Sequence, residues 1–368
     1  MPHPKFDRAR VAMKPLGERR NRQKIDQDAI TVDHQPRPLS ETAAALITET
    51  ATRIRQARTD GRPVMISFGA HAVKNGLAPV FIRLMEAGWL THLATNGAGI
   101  IHDWEFAFQG ESSEDVRANV ERGEFGNWQE TGFNINLAIV VGAYEGKGYG
   151  ESVGSFIDNE GLDIPGTTEL EASVRADAKT MPEARAAAAD LLATVERFEI
   201  APGTLAVPHP WKRYSIQAAA WRLGVPFTGH PMFGHDIIYN HPMNHGAAIG
   251  RAAERDFLTF VESVSRIDGG VYVSMGSAVM SPMIFEKSLS MAQNVMLQEG
   301  RHIDNHFIVV VDLAESRWDW TRGEPPEDNP DYYLRHNKTF SRMGGTMRYI
   351  SADNRDFLLS LYRELHAK

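Results

Sequence analysis

The chain of 368 residues contains no cysteine. Disulfide scaffolds, thiolate nucleophiles and cysteine-ligated metal sites are therefore excluded together. Basic residues are in the minority, because 39 Lys and Arg stand against 47 Asp and Glu and give a formal net charge of −8. A net negative charge does not favour binding to the negatively charged phosphate backbone of a nucleic acid, so we expect no nucleic-acid partner.

Long apolar runs are also missing. No stretch reaches the roughly 18 apolar residues that a membrane span needs, and the N-terminus has no apolar run of signal-peptide length. We therefore expect a cytoplasmic protein that does not enter a membrane. Neither a G-x-S-x-G elbow nor a phosphate-binding loop ending in G-K-[ST] occurs, which disfavours hydrolase and NTPase functions.

What is present is a repeated alternation of strands, glycine turns and helices. Ser40 is a plausible cap for a first helix, and Val64–Phe68 has the apolar character of a buried strand. Further strands are predicted over Thr91–Thr95, Thr204–Val207, Gly270–Ser274 and Phe307–Leu313. This alternation predicts an α/β fold, a Rossmann-like parallel sheet with helices on both faces.

The organisation along the chain is predicted to be simple. Residues 1–38 carry several prolines and little periodicity, so we expect an irregular N-terminal arm that packs on a neighbouring subunit. Residues 39–368 are predicted to form a single Rossmann-like domain. Within it, the segments Gly142–Gly166 and Glu315–Gly345 are expected to be loops.

Several polar or glycine-rich loops follow the predicted strands. Ligands of open parallel sheets bind beyond the carboxyl ends of the strands, where glycine lets backbone N–H groups approach a phosphate. An acidic side chain there could accept from a ribose hydroxyl or pair with an amine. Tight turn geometry without any ligand is the alternative. The predicted NAD-binding residues are Gly69, Asn96, Gly97, Ala98, Gly99, Asp236, Gly276 and Ser277.

Histidine is dense between His209 and His245. The spacing of His241 and His245 would suit a metal on a helix, but Pro242 lies between them and no paired carboxylate accompanies them. We expect no metal site, and the histidines remain candidates either for polar active-site lining or for structural roles. His235 and His102 are the histidines that we predict to be catalytic.

Lys338 is the candidate nucleophile. An amine whose pKa is lowered by its surroundings forms imines with carbonyl compounds. Arg335, His336 and Arg342 lie near it in sequence and could supply such surroundings. An exposed surface lysine is the alternative interpretation.

The order of these motifs resembles the deoxyhypusine synthase family over roughly residues 60 to 365. The resemblance rests on segments in register: Gly69–Leu77, Leu93–Asp103, Pro226–Ile238, Met275–Ser277, Lys338 and Tyr349–Asp353. It implies a Rossmann-like sheet, NAD, and a homotetramer with active sites at subunit interfaces. It also implies hydride transfer from a polyamine and transfer of an aminobutyl group, as an imine on a lysine, to an acceptor amine.

The chain departs from the family at the amine site. Ile101 and His102 stand where the family has an acidic pair, and Met280–Met283 replace a lysine and two histidines. A bound dication needs such partners. We therefore expect an enzyme of the same type with a different small amine or polyamine substrate. The alternatives are an NAD-assisted amino-acid deaminase or cyclodeaminase, and an inert oligomeric scaffold.

Overall fold

A computed structural model describes residues 3–176 and 181–367. The strands are β1 (Asn21–Lys24), β2 (Val64–Phe68), β3 (His92–Asn96), β4 (Glu111–Glu114), β5 (Gly161–Ile164), β6 (Gly203–Ala206), β7 (Phe227–His230), β8 (Val271–Met275), β9 (Phe307–Asp312) and β10 (Thr346–Ser351). The helices are α1 (Ile25–Asp28), α2 (Glu41–Thr59), α3 (Ala70–Lys74), α4 (Ala78–Glu86), α5 (Gly97–Gln109), α6 (Val116–Glu121), α7 (Gln129–Tyr144), α8 (Tyr149–Asn159), α9 (Thr167–Arg175), α10 (Pro182–Arg197), α11 (Ile216–Leu223), α12 (Gly246–Ser265), α13 (Met280–Gln298), α14 (Arg335–Phe340) and α15 (Asn354–His366).

The chain divides into two compact units. The sheet unit comprises residues 28–99, 220–230 and 257–367, and the helical unit comprises residues 3–27, 100–219 and 231–256 without the four undescribed residues 177–180. The division predicted from sequence, an arm over 1–38 and one domain over 39–368, stays a prediction.

The sheet unit contains a six-stranded parallel sheet in the order β7-β3-β2-β8-β9-β10. Numbered by chain order within this sheet, the strands run 3-2-1-4-5-6, which is the order of doubly wound dinucleotide-binding folds. Helices flank the sheet, with α2 packed on α15 and the core side chains of α13 and α14 gathered around Tyr272 of β8. The predicted α/β fold class is confirmed.

Local sequence explains most of these elements. The side chain of Ser40 accepts a hydrogen bond from the backbone N–H of Ala43 (3.2 Å) and so begins α2 as expected. All five residues of β2 are buried, as a central strand covered on both faces requires. The predicted strand over Val64–Phe68 has the bounds seen in the structure.

The helical unit corrects two predictions. The segment Gly142–Gly166 is not a loop, because α7 continues into it and α8 and β5 follow. Some of its glycines lie where other atoms approach closely; a Cβ at Gly154, for example, would lie 2.7 Å from the carbonyl oxygen of Gln217. The strand predicted over Thr204–Val207 exists as β6, but it pairs antiparallel with β5 outside the parallel sheet.

The first residues of the chain are tied into the helical unit. Leu16 and Ile25 are buried, and β1 pairs antiparallel with β4. The guanidinium of Arg19 donates two hydrogen bonds to Glu105, at 2.7 and 2.6 Å, with both side chains about 1% exposed. The segment therefore has packing contacts within its own chain that the low periodicity of its sequence does not reveal. Among the described residues, no helix is both long enough and apolar enough to cross a membrane.

Candidate functional site

The carboxyl edge of the sheet has its switch point between β2 and β8. Gly69 follows β2 and Gly276 follows β8, and the two backbones nearly touch. A Cβ at Gly69 would lie 2.1 Å from the carbonyl oxygen of Gly276. Gly276 has a φ of +58°, and a Cβ there would lie 2.6 Å from the side-chain nitrogen of Asn354. Both positions therefore require glycine.

The turn after β3 is similarly tight. The side-chain oxygen of Asn96 accepts a hydrogen bond from the backbone N–H of Gly99 (2.9 Å). A Cβ at Gly99 would lie 2.2 Å from Oγ1 of Thr95, so a larger residue would push the first turn of α5 away from the strand. These contacts place the beginning of α5 directly against the end of β3.

The turn after β8 leads into α13, a helix of 19 residues. Oγ of Ser277 accepts a hydrogen bond from the backbone N–H of Ser281 (3.2 Å). Behind this turn, Oη of Tyr272 donates to Oγ of Ser67 (2.7 Å) and lies 2.8 Å from Oγ of Ser281. Two long helices, α5 and α13, thus begin at the carboxyl edge of the sheet through glycine-bearing turns, as a phosphate site requires.

Lys338 lies on α14 of the sheet unit. Its Nζ is 2.7 Å from a carboxylate oxygen of Glu324 and 3.3 Å from the centre of the Tyr332 ring. Burial acts to lower the pKa of Lys338, but the hydrogen bonds and charges of Glu324 and Tyr332 outweigh it and raise the pKa. An imine-forming lysine needs the opposite shift. The catalytic role of Lys338 stays a prediction.

The helical unit contains a buried carboxylate with unpartnered neighbours. Asp236 precedes a short 3-10 turn that carries Tyr239, and Tyr149 is the first residue of α8. The three side chains are at least nine-tenths buried. Among the described residues, Oδ2 of Asp236 and the hydroxyls of both tyrosines have no hydrogen-bond partner. Buried polar atoms without partners are unusual and indicate a ligand or water position.

Electrostatics link these three residues. Burial raises the pKa of Asp236 to about 6, although the charge of His235 and the nearby hydroxyl of Tyr239 act to lower it. Burial and the charge of Asp236 raise the pKa of both Tyr149 and Tyr239, so both hydroxyls stay protonated. A buried carboxylate with two neutral hydroxyls in its neighbourhood gives oxygen acceptors for a cation, and a bound cation would offset the unfavourable burial of the charge.

His102 belongs to a hydrogen-bonded chain in the same unit. Oγ of Ser112 donates to a carboxylate oxygen of Glu105 (2.6 Å), and Nδ1 of His102 lies 2.7 Å from the same Oγ. The single hydroxyl proton of Ser112 is committed to Glu105, because a carboxylate only accepts. Nδ1 of His102 therefore carries a proton and donates to Ser112.

The histidines between His209 and His245 make separate contacts. His235 is exposed, whereas His241 accepts from the backbone N–H of Met243 (3.0 Å) and its pKa is lowered to about 4 by burial. Nε2 of His245 is 3.7 Å from Asp190, which also pairs with Arg251. Within residues 3–176 and 181–367, no three His, Asp or Glu side chains come together as a possible metal site.

The structure therefore brings together some of the predicted residues. Gly69, Gly276 and Ser277 meet at the switch point, and Asn96–Gly99 form the next turn of the same edge. His235 and Asp236 are neighbours in the helical unit, but only Asp236 is buried. The sequence reasoning missed Tyr149 and Tyr239. Tyr149 lay in a segment taken for a loop, and the helical spacing of Gly148 and Glu151 before an apolar run was the available signal.

No protein-family model matches the chain, and no curated protein matches it by sequence. Solved structures with a similar arrangement include ArgZ, an arginine dihydrolase from the ornithine-ammonia cycle in cyanobacteria, with 14% identity over 88% of this chain and a TM-score of 0.41. Unliganded AgrE has 15% identity over 89% of this chain and a TM-score of 0.44. A conserved LOR/SDH protein from Methanococcus maripaludis S2 has 11% identity over 90% of this chain and a TM-score of 0.43.

The match to these proteins is partial. This chain corresponds to 32% of the ArgZ chain, 34% of the AgrE chain and 72% of the M. maripaludis chain. At these identities and TM-scores, the likeness carries no inference about activity. The resemblance to the deoxyhypusine synthase family is not confirmed by these comparisons.

Proposed function

We propose that the chain is an NAD-dependent enzyme that oxidises and deaminates a small primary amine or amino acid. The main support for NAD binding is the 3-2-1-4-5-6 strand order, with Gly69 and Gly276 packed together at the switch point of the sheet. In open α/β sheets, the crevice at this point is where dinucleotides bind. NAD+ and ornithine are named in the description of one AgrE complex, but the proposal for this chain rests on its own residues.

The residues present fit the phosphate part of a dinucleotide. The turns at Asn96–Gly99 and Gly276–Ser277 bring the beginnings of α5 and α13 to the carboxyl edge of the sheet, although the N–H groups of Gly99 and Ser281 already donate to the side chains of Asn96 and Ser277. The G-x-G-x-x-G fingerprint is missing. Asn96 ends β3, where dinucleotide-binding folds commonly place an acidic residue for the ribose. NAD would supply a hydride acceptor at this edge.

The amine half rests on Asp236, Tyr149 and Tyr239. Their three unpartnered oxygen atoms suit the N–H donors of one primary ammonium. An ammonium must lose a proton before the neighbouring C–H bond can give up a hydride, and Oδ2 of Asp236 is the proposed acceptor of that proton. The pKa of about 6 makes Asp236 a stronger base than an ordinary aspartate.

The chemistry balances without a protein nucleophile. Oxidation of the C–H bond would release a hydride, for which NAD would be the acceptor when bound, and the proton that the ammonium loses would go to Asp236. Water then adds to the resulting imine carbon, and the C–N bond breaks to release ammonia. Transfer to an acceptor amine would instead need a reactive lysine, and Lys338 is held as a charged partner of Glu324. The homotetramer implied by the family resemblance is retained as a proposal.

Calorimetric titration of NAD+ tests the cofactor half. The matched variants are Gly69→Ala, whose Cβ would strike the Gly276 carbonyl, and Gly250→Ala, whose Cβ meets no atom within 4 Å. We expect NAD+ to bind the native protein and Gly250→Ala alike, and to bind Gly69→Ala more weakly. The absence of any heat at millimolar NAD+ or NADH would contradict the proposal. Of the functions considered, only that of an inert oligomeric scaffold would then remain.

A further inference from the structure

A buried chain of hydroxyls and imidazoles runs along β3 and β7 in the sheet unit. Nδ1 of His92 lies 2.8 Å from Oγ of Ser263, and Nε2 of His92 lies 3.0 Å from Oγ1 of Thr228. The same Thr228 oxygen lies 2.9 Å from Nε2 of His230. Ser263, His92 and Thr228 are buried, whereas His230 is partly exposed. None of these side chains has a role in the function proposed above.

Both imidazoles are held in orientation. The ring of Phe260 meets His92 edge to face at 5.3 Å and 89°, and it meets His230 at 5.3 Å and 80°. Burial lowers the pKa of His92 and of His230 to about 3 each, so both rings are neutral near neutral pH. Each ring therefore has one N–H and one bare nitrogen, and the tautomers depend on the direction of the hydrogen-bonded chain.

The direction of these hydrogen bonds follows from Ser263, the first residue in the hydrogen-bonded series. Among the described residues, the hydroxyl of Ser263 has no acceptor other than His92. A buried hydroxyl that only accepted would leave its own proton unsatisfied, so Ser263 donates to Nδ1 of His92. His92 then carries its proton on Nε2 and donates to Thr228. Thr228 has one proton and donates it to Nε2 of His230, which leaves the proton of His230 on Nδ1.

His230 lies where a ligand would meet it. It is the last residue of β7, and its Cα pairs in register with that of Asn96, the last residue of β3. It therefore stands at the carboxyl edge of the sheet, level with the turn that begins α5. Its Nε2 is engaged by Thr228, and Nδ1 is the nitrogen left to meet a ligand.

We infer that His230 is a further ligand-contacting residue, which presents a fixed Nδ1–H donor to an oxygen acceptor of the ligand at this edge. The acceptor is a carboxylate of an amino acid or an oxygen of the dinucleotide, since both accept the same hydrogen bond. Ser263, His92 and Thr228 are positioning residues that set the tautomer of His230. The identity of the ligand rests on the proposed function, whereas the tautomer is a property of the free protein.

The tautomer is measured by long-range ¹H–¹⁵N correlation spectra of ¹⁵N-histidine protein without ligand. The signal of His230 is assigned by its loss in His230→Asn. We expect the Nδ1–H form in the native protein and in Ser265→Ala, a control on the same helix whose hydroxyl donates to Glu262 instead. We expect a mixed or reversed tautomer in Ser263→Ala. An Nε2–H form of His230 in the native protein would overturn the inference, and so would an unchanged Nδ1–H form in both Ser263→Ala and Thr228→Val.

Binding measurements test the contact itself. His230→Leu should weaken whichever ligand supplies the oxygen by about tenfold, the usual loss for one hydrogen bond. His230→Asn keeps an N–H near the Nδ1 position and should bind that ligand within about threefold of the native protein. Titrations with NAD+ and with basic amino acids separate the two sources of the oxygen. Equal affinities of native protein and His230→Leu for every ligand would refute the contact. If the native protein binds no ligand, the proposed function and the ligand contact of His230 are both refuted. The tautomer spectra still determine the direction of the hydrogen bonds from Ser263 to His230.

Discussion

Asp236→Asn is the substitution that best separates the binding of an amine from the stability of the fold. The carboxylate of Asp236 is buried, and burial raises its pKa to about 6 from the ordinary value of 3.8 for an aspartate. Because the folded state holds the proton more tightly, the stabilising contribution of Asp236 is complete below the unfolded pKa. It is lost as the pH rises through about 6. The shift of roughly two pKa units corresponds to about 3 kcal/mol.

Asparagine has nearly the same shape and cannot ionise. Above about pH 7 the variant should therefore be more stable than the native protein, by up to about 3 kcal/mol, and the difference should shrink as the pH falls from about 6 towards about 4. At the same time, the variant should lose affinity for primary amines, because it lacks the charge that pairs with the ammonium. Higher stability together with weaker amine binding is expected if the buried carboxylate lowers the stability of the fold but is needed to bind the ligand.

The assay is urea unfolding of the native protein and the variant at several pH values, with amine titration by calorimetry. Glu254→Gln, at an exposed acid of the same unit, is the control and should change neither property. A variant that is no more stable than the native protein at high pH would refute the reasoning, and so would a stability difference that does not vary with pH. Unchanged amine affinity would refute Asp236 as the binding group.

Other outcomes follow from the same structure. Arg19→Met leaves the buried Glu105 without its partner and should destabilise the protein by about 3–5 kcal/mol in urea unfolding. Arg22→Met breaks only an exposed pair with Asp115 and should have an effect below about 1 kcal/mol; equal effects would contradict the burial of the first pair. Borohydride reduction in the presence of an amine and NAD+ should leave Lys338 unlabelled, because Glu324 keeps it charged, and a label lost in Lys338→Ala would restore its nucleophilic role. Light scattering should give about four times the chain mass of 41.0 kDa if the proposed tetramer forms, and a mass near 41 kDa at micromolar concentration would exclude it.

The parallel sheet could be predicted because its strands are short apolar runs that end at glycine. Val64–Phe68 and Phe307–Asp312 are buried throughout or nearly so, and such strands need no long-range information to be recognised. β7 was not predicted as a strand. Its four residues include a threonine, a glycine and a histidine, and only pairing with β3 makes them a strand.

The candidate site was harder to predict, because its parts depend on side chains distant in sequence. Gly69 and Gly276 were identified by their place after strands, but their contact with each other required the fold. Asp236 was found through its glycine-rich loop, whereas Tyr149 comes from a helix nearly ninety residues earlier that the glycines of Gly142–Gly166 concealed. The tautomers of His102 and His230 depend on Ser112 and Thr228. Thr228 lies two residues before His230 on one face of β7, but this alternation has meaning only once β7 is known to be a strand. No spacing pattern connects Ser112 to His102.

Ammonia release from a panel of primary amines and amino acids, with and without NAD+, tests the proposed enzyme most directly. We expect the native protein to release ammonia only when NAD+ is present, and we expect Asp236→Asn to release none although that variant remains folded. Ammonia release that continues unchanged without NAD+ or in Asp236→Asn would contradict this expectation, and so would the absence of release from every compound in the panel.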